Sequence, residues 1–341
     1  MANTDKVYRD LVNDVMENGS DKADRTGVGT RSVFGRIKAF DVLGWKIPML
    51  TCKYVHFKSV LHELLWFLSG DTDIKYLVDN DVRIWDDWPY SAFLDTQNTL
   101  RGSDIVTESF FEVKNIQQFR ERIKNDQKFA EIWGRVGPIY GAQMTSWRRI
   151  IEHSNGRDFD IERINQVAKV IDDIKNNPDS RRHLVTMWNP GELEEMILPP
   201  CHYSFQFYSS ELSEEDRARL RDMDLKADTG KRRLDILFNM RSVDVFLGYP
   251  FDIASYGILL AMVARATNHT PGRVIIVSGD THIYKNHFDA VNTLLDRPEY
   301  DSEPVISFRK GASLDPFKLK YDDIELVGYN NHGKIKAPVA V

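Results

Sequence analysis

Apolar side chains recur at helical spacing in several parts of the chain. Residues 5–18, 56–69 and 161–175 each carry apolar positions three and four residues apart, which predicts an amphipathic helix in each segment. Residues 250–267 are apolar almost throughout, so a helix there is expected to be buried on all sides. The pattern therefore predicts four helices that need a core to cover them.

Other segments show the two-residue alternation of a strand. Between Tyr203 and Phe207, aromatic residues alternate with polar ones. Residues 32–42, 234–240 and 274–277 are also expected to form strands. Together these elements predict an α/β (α+β) fold.

Composition and charge narrow the possible partners. The chain has 341 residues, 42% of them hydrophobic, and a formal net charge of −6, which is ordinary for a globular protein with a sizeable core. An acidic balance argues against a nucleic-acid surface, and no apolar run is long enough to span a bilayer. Only Cys52 and Cys201 are present and the N-terminus lacks a signal-peptide pattern. We therefore expect a cytoplasmic protein that binds neither nucleic acid nor membranes.

Cys201 is the first candidate for chemistry. Pro199 and Pro200 form a rigid lead into the strand that follows, so the thiol can face a cleft. A buried, unreactive cysteine is the ordinary alternative. A hydrolase dyad of Cys201 with His202 is disfavoured, because neighbouring residues on a strand point to opposite faces.

Several sequence blocks, in order along the chain, resemble motifs of one known family. They are DRTGVGT (24–30), HELLWFL (62–68), GPIYG (137–141), DSRR (179–182), LPPCHYSFQFY (198–208), RSVD (241–244), PFDIASY (250–256) and GDTHIY (279–284). On these blocks the chain resembles the thymidylate synthase family over nearly its whole length. The resemblance implies a thymidylate synthase-like fold, with a large mixed β-sheet packed by helices and one sheet face forming a dimer interface.

The resemblance also implies a reaction and a set of residue roles. A thiolate at Cys201 would add to C6 of a pyrimidine nucleoside monophosphate, so that C5 can attack the methylene group of 5,10-methylenetetrahydrofolate. Catalytic roles are implied for Cys201, Glu63, Tyr140, Arg241 and Asp252. Nucleotide contacts are implied for Arg25, Arg181, Arg182, His202, Ser242, Asp252, His282 and Tyr284, of which the last two would bind the sugar 3′-hydroxyl. Folate contacts are implied for Lys53, Trp85, Trp88, Asp244 and Val341, and no metal is implied.

The same resemblance bears on assembly and domain organisation. In the family the arginine pair that matches Arg181 and Arg182 holds the partner's substrate phosphate, which implies an obligate homodimer with shared active sites. We expect residues 1–341 to form a single domain with insertions at about 89–133 and 209–233. Their purpose is not evident from the sequence.

Asp252 departs from the family, because thymidylate synthases carry asparagine at this position. An ionised carboxylate offers only acceptors, whereas an amide offers one donor and one acceptor. The 4-amino group of cytosine donates a hydrogen bond and can pair with a carboxylate oxygen. O4 of uracil is itself an acceptor and cannot. This residue, with Asn239-Met240 before Arg241, predicts a dCMP 5-hydroxymethyltransferase that resembles the deoxycytidylate hydroxymethylases.

Other reactions stay open at this stage. One alternative is a dCMP 5-methyltransferase, and others are a CMP hydroxymethylase, a thymidylate synthase or a dUMP hydroxymethylase. An alternative of another class is a regulator that binds a nucleotide without catalysis. Such a protein would have to keep Cys201, Glu63 and Tyr140 without using them.

Overall fold

The computed structural model describes residues 3–24, 26–100, 112–154, 157–223, 230–298, 300 and 302–339. The chain divides into two compact units. The first comprises the described parts of Met1–Leu61, Gln166–Thr186 and Cys201–Ala340, and the second those of His62–Asn165 and Met187–Pro200.

Strands and helices are mixed along the chain. The strands are β1 (Ser20–Lys22), β2 (Thr30–Asp41), β3 (Trp147–Glu152), β4 (Phe159–Ile164), β5 (Leu184–Thr186), β6 (His202–Glu211), β7 (Arg232–Asp244), β8 (His269–Tyr284), β9 (Val305–Phe308) and β10 (Ile324–Val327). The helices are α1 (Thr4–Asn18), α2 (Phe57–Ser69), α3 (Lys75–Asp79), α4 (Asp87–Thr99), α5 (Ile116–Asn125), α6 (Gln127–Trp133), α7 (Tyr140–Ser146), α8 (Gln166–Asn176), α9 (Glu214–Asp222), α10 (Gly248–Ala266) and α11 (Phe288–Asp296).

A six-stranded sheet forms the centre of the first unit. Its strands lie in the order β1-β2-β8-β7-β6-β5. β7 and β8 run parallel, and the other neighbouring strands are antiparallel. The expected large mixed sheet, packed by helices, is thus confirmed.

The two faces of this sheet differ in exposure. On one face α10 packs against β7 and β8, and the strand residues Phe205, Phe207 and Phe238 are buried there. On the other face Ile37 is 69% exposed, Tyr208 62% and Leu184 50%. Side chains alternate along a strand, so the exposed apolar residues belong to a single surface of the sheet.

The second unit contains α2 from His62 onwards, α3 to α7 and the hairpin β3-β4. One of its aromatic clusters lies in the segment predicted as the first insertion and consists of Phe93, Phe119, Phe129 and Trp133. Part of this insertion, residues 101–111, lies outside the described residues. In the second predicted insertion, α9 lies between β6 and β7 of the first unit, and residues 224–229 lie outside the described residues.

One predicted helix is wrong over its first turn. Residues 161–164 belong to β4, where Ile161 pairs with Ile150 and Ile164 with Trp147 of β3. Only from Gln166 does the chain form the helix α8. Two apolar residues three positions apart fit a helix as well as the start of a hairpin strand, and here the cross-strand pairs determine the outcome. No helix of the described residues combines the length and apolar character that a membrane span requires.

Candidate active site

The sheet of the first unit brings several predicted site residues to one edge. β7 and β8 are parallel, so their carboxyl ends meet there, and the antiparallel β6 begins at the same edge. His202 pairs with Met240 in the β6-β7 register, and Ser242 pairs with Asp280 in the β7-β8 register. Cys201, which directly precedes β6, therefore lies beside the end of β7.

Cys201 and Arg241 are in direct contact at this edge. The backbone N–H of Arg241 donates to the Cys201 carbonyl over 2.9 Å, and Arg241 Nη2 lies 3.9 Å from Cys201 Sγ. The thiol is half-buried and the arginine side chain is exposed. A guanidinium beside a thiol favours the thiolate form. This arrangement suits Cys201 to nucleophilic attack.

Cys52, the second cysteine, has the opposite surroundings. Its side chain is fully buried, and burial raises the pKa of the thiol to about 12. This cysteine therefore stays protonated near neutral pH, which leaves Cys201 as the candidate nucleophile.

His202 faces the protein interior. Its Nδ1 lies 2.9 Å from the Tyr256 hydroxyl, and the two rings meet edge to face. Burial lowers the pKa of His202 to about 3, so the imidazole is neutral at physiological pH. The structure therefore places this imidazole in a buried contact with Tyr256.

The end of β8 carries the residues expected to bind the sugar. His282 Nδ1 lies 3.3 Å from Asp280 Oδ1, and the His282 ring meets that of Tyr284 edge to face at 5.2 Å. His282 is paired with Asp244 across the β7-β8 register. The predicted sugar ligands are thus close to one another and to the end of β7.

Asp252 lies in the first two turns of α10 between two buried tyrosines. Tyr249 precedes it by three residues and Tyr256 follows it by four, so all three lie on adjoining parts of the helix surface. The pKa of both tyrosines is raised, mainly by burial and further by Asp252 when its carboxyl group is ionised. Asp252 itself is half-buried. The sequence block that contains Tyr256 does not indicate a role for it, although its spacing of four residues from Asp252 is a usable signal.

Glu63 lies within an aromatic cluster of the second unit. Trp85 Nε1 donates to Glu63 Oε1 over 2.7 Å. Burial raises the pKa of Glu63 to about 7, and the bond from Trp85 acts weakly in the opposite direction. A carboxyl group with this pKa is present in both protonation states near neutral pH and can move protons.

Aromatic rings surround the same carboxyl group. Trp85 lies 5.3 Å from Trp88 and 6.0 Å from Tyr140, measured between ring centroids, and Tyr140 lies 4.9 Å from Phe67. Trp88 Nε1 is buried and finds no hydrogen-bond acceptor among the described residues. A flat polar ring system could pack on such a cluster and accept that hydrogen bond. With their aromatic surfaces and the N–H donor of Trp88, these residues fit the folate ring.

Lys53 and Asp244, two predicted folate ligands, bond to the same loop of the first unit. Lys53 Nζ is buried, donates to the Phe246 carbonyl and lies 3.9 Å from the centre of the Phe246 ring. Burial lowers the pKa of Lys53 to about 8. Asp244 Oδ1 accepts the N–H groups of Phe246 over 2.8 Å and of Leu247 over 3.2 Å.

The remaining predicted ligands are exposed or lie outside the described residues. Arg181 and Arg182 are both exposed and lie just before the edge strand β5. Within the described parts of the chain neither guanidinium takes part in a salt bridge. Arg25 and Val341 lie outside the described residues. Across the described ranges no group of three or more His, Cys, Asp or Glu side chains is arranged to hold a metal ion.

Comparison with known proteins identifies relatives that match the whole chain. The family model described as thymidylate synthase matches residues 6–341. The chain is 40% identical over 336 residues to the thymidylate synthase of Mesoplasma florum, covering 98% of this chain and 100% of the relative. It is 41% identical over 334 residues to that of Mycoplasma mobile, covering 98% and 99%. For Mycoplasma genitalium the figures are 41% over 336 residues, 98% and 100%.

These names contradict the prediction of dCMP hydroxymethylation. Relatives of about 40% identity over nearly the whole chain are named thymidylate synthase, which points to methylation of dUMP. The dCMP prediction assumes an ionised Asp252, which offers the base only hydrogen-bond acceptors. A protonated carboxyl group has one O–H donor and one acceptor, as an amide does, so an aspartate does not by itself exclude uracil. The special affinity to the deoxycytidylate hydroxymethylases is likewise not supported.

The sequence blocks, the mixed sheet and the full-length relatives all indicate the same family. The half-buried Cys201 beside Arg241 and the half-buried Glu63 with its raised pKa are the features in which the family's chemistry would reside. The chain belongs to the thymidylate synthase family, whose members are one-carbon transferases that act on a pyrimidine nucleotide with methylenetetrahydrofolate as co-substrate.

Proposed function

We propose that this protein methylates dUMP at C5, converting dUMP and 5,10-methylenetetrahydrofolate into dTMP and dihydrofolate. The observation that carries the proposal is the contact of the Cys201 thiol with the Arg241 guanidinium at the edge of the sheet. The names of the full-length relatives support the choice of substrate and product.

Cys201 acts as the nucleophile. Its thiolate forms a bond to C6 of the uracil ring, and the electron pair of the C5–C6 double bond moves towards C5. Arg241 stabilises the thiolate before attack and, together with Ser242, offers donors to the phosphate. Elimination of the thiolate at the end of the reaction restores the free enzyme.

Proton transfers fall to Glu63 and Tyr140. With a pKa of about 7, Glu63 can donate a proton and take it back within one turnover. Tyr140 is assigned, through water, to the C5 proton. The folate supplies the methylene carbon and the hydride that completes the methyl group, while Trp85 and Trp88 offer it an apolar surface.

In this proposal Asp252 recognises the base through hydrogen bonds. Uracil presents O4 as an acceptor and N3–H as a donor, so the residue facing it has to offer one donor and one acceptor. A protonated Asp252 meets that requirement. Asp252 lies on α10 between Tyr249 and Tyr256, whose side chains are both buried, which supports this role.

We also propose a homodimer formed through the open face of the sheet. This face carries the exposed apolar residues Ile37, Tyr208 and Leu184, which gain from being covered. Arg181 and Arg182 extend from the border of the same sheet and would reach the phosphate bound by the partner. A cytoplasmic location stays a prediction.

Product analysis tests the proposal. The protein is incubated with methylenetetrahydrofolate and either dUMP or dCMP, and nucleotide products are identified by mass spectrometry while dihydrofolate is followed by absorbance. We expect dTMP and dihydrofolate in equal amounts from dUMP. A hydroxymethyl product without dihydrofolate, or turnover of dCMP only, would refute the assignment.

A further inference from the structure

His287 is a buried histidine that has no role in the proposed reaction. It ends the short turn Lys285–His287 between β8 and α11, and its side chain is fully buried. Its Nε2 lies 2.7 Å from the carbonyl oxygen of Pro338. A carbonyl only accepts hydrogen bonds, so Nε2 must carry the hydrogen and donate it. The bond joins residues 51 positions apart in the sequence.

The other side of the imidazole faces the loop after β7. Nδ1 lies 3.9 Å from Asp244 Oδ1, the oxygen that accepts the N–H groups of Phe246 and Leu247. The Phe246 and Tyr284 rings pack against the imidazole, each at a centroid distance of 5.5 Å. His287 thus lies between the Asp244 loop and the C-terminal segment.

The C-terminal segment is attached at two places. At the first, the backbone N–H of His332 donates to Thr51, and the Gly333 carbonyl accepts from Tyr54 and Arg297. The second is the bond from His287. Among the described residues it is the only hydrogen bond that residues 334–339 make with the rest of the unit.

We propose that His287 is a positioning residue that fixes the C-terminal segment next to the Asp244 loop, so that both are in place when folate binds. The proposal rests on the proposed function for the identity of the ligand, but the attachment itself does not depend on it. His287 acts through Pro338 and Asp244 and does not contact the reacting atoms.

Two variants separate the hydrogen bond from the packing of the ring. His287→Phe keeps an aromatic ring between Phe246 and Tyr284 but removes the donor. His287→Gln loses the ring but keeps an N–H donor. The matched control is His332→Phe, because His332 is held through its backbone and its buried Nε2 makes no hydrogen bond with the described residues.

Proteolysis of the C-terminal segment is measured first, since it needs no turnover. Lys334 and Lys336 are exposed, so trypsin can cut the segment after either residue, and mass spectrometry follows the loss of the C-terminal peptide. In His287→Phe we expect this cleavage to be about tenfold faster, and the KM for methylenetetrahydrofolate to rise about tenfold, as expected for one lost hydrogen bond. The KM for dUMP should change less than about twofold. His287→Gln should restore most of the resistance to trypsin, and His332→Phe should match the unmodified protein.

An unchanged rate of cleavage in a folded His287→Phe variant would overturn the proposal, as would equally fast cleavage in the Gln variant or in the His332 control. If the unmodified protein fails to methylate dUMP, the proposed function fails, while the cleavage rates still decide whether His287 holds the segment.

Discussion

The Cys201 edge of the first unit and the Glu63 cluster of the second place reactive side chains in contrasting surroundings. Cys201 is half-buried and faces the guanidinium of Arg241, an exposed cation. Glu63 faces aromatic rings and one N–H donor from Trp85, and its pKa rises to about 7. The Arg241 guanidinium favours the ionised form of the Cys201 thiol, whereas burial favours the neutral form of the Glu63 carboxyl group. In the proposed reaction these surroundings suit different steps, nucleophilic attack for Cys201 and proton transfer for Glu63.

Removing the thiol should have the largest effect. Cys201→Ser is expected to lower kcat to at most about 10⁻³ of the unmodified value, because losing a covalent nucleophile costs several orders of magnitude. Binding of dUMP should change little, since phosphate and sugar contacts come from other residues. Steady-state kinetics measures kcat, and isothermal titration calorimetry measures the binding of dUMP. Cys52→Ala is the control, and turnover close to normal in Cys201→Ser would show that the edge is not the nucleophilic site.

Removing the titrating carboxyl group should come next. Glu63→Gln is expected to lower kcat by about 10²- to 10⁴-fold, the usual contribution of a positioned acid or base. Loss of less than about tenfold would mean that the Glu63 cluster does not carry proton transfer.

The same substitution should also change the pH dependence of stability. The pKa of Glu63 is about 7 in the folded protein and about 4.3 in an unfolded chain, so the folded state holds its proton longer. Stability must therefore fall as the pH rises from about 4 to about 7, by about 2 to 3 kcal/mol from this group. Urea unfolding at pH 5 and pH 8 should show a smaller decrease in the variant. Equal decreases in both proteins would contradict the raised pKa.

A smaller effect is expected when the hydrogen bond from Trp85 to Glu63 is removed. Trp85→Phe removes the N–H bond that lowers the pKa of Glu63, so that pKa should rise further. In the pH profile of kcat/KM, the limb assigned to Glu63 should move to higher pH by less than about one unit. A shift to lower pH would show that the bond from Trp85 does not stabilise the ionised form.

The smallest expected effect concerns Asp252. Asp252→Asn should keep dUMP turnover within about tenfold, because the amide offers the same donor and acceptor as a protonated carboxyl group. A loss of dUMP turnover with a gain of dCMP methylation would show that Asp252 does not read uracil as proposed.

Local pattern predicted much of the fold because it reflects local physics. The apolar run at 250–267 and the alternation at 234–240 became α10 and β7 with small changes at their ends. Pattern failed where pairing with a neighbouring strand decides, as in the β3-β4 hairpin over residues 147–164. Periodicity alone does not show that so short a segment will pair with the strand before it instead of continuing the helix after it.

The site could be predicted in part. Sequence blocks indicated Cys201 and Arg241, and the register of the sheet brings them together. They did not reveal that Lys53 is buried against Phe246, or that His287 bonds to Pro338, since both contacts join residues far apart in sequence. Ionisation is also decided by tertiary surroundings, so the residue type at position 252 alone could not determine which hydrogen-bonding groups it offers a base.

The most direct test of the account is a covalent complex at the sheet edge. The protein is incubated with 5-fluoro-dUMP and methylenetetrahydrofolate, digested, and the modified peptide is sequenced by mass spectrometry. We predict a complex containing both ligands, attached to Cys201 in the peptide that includes Pro199 and Pro200 and absent in Cys201→Ser. No covalent complex, or one attached at Cys52, would contradict the claim that the thiol beside Arg241 performs the reaction.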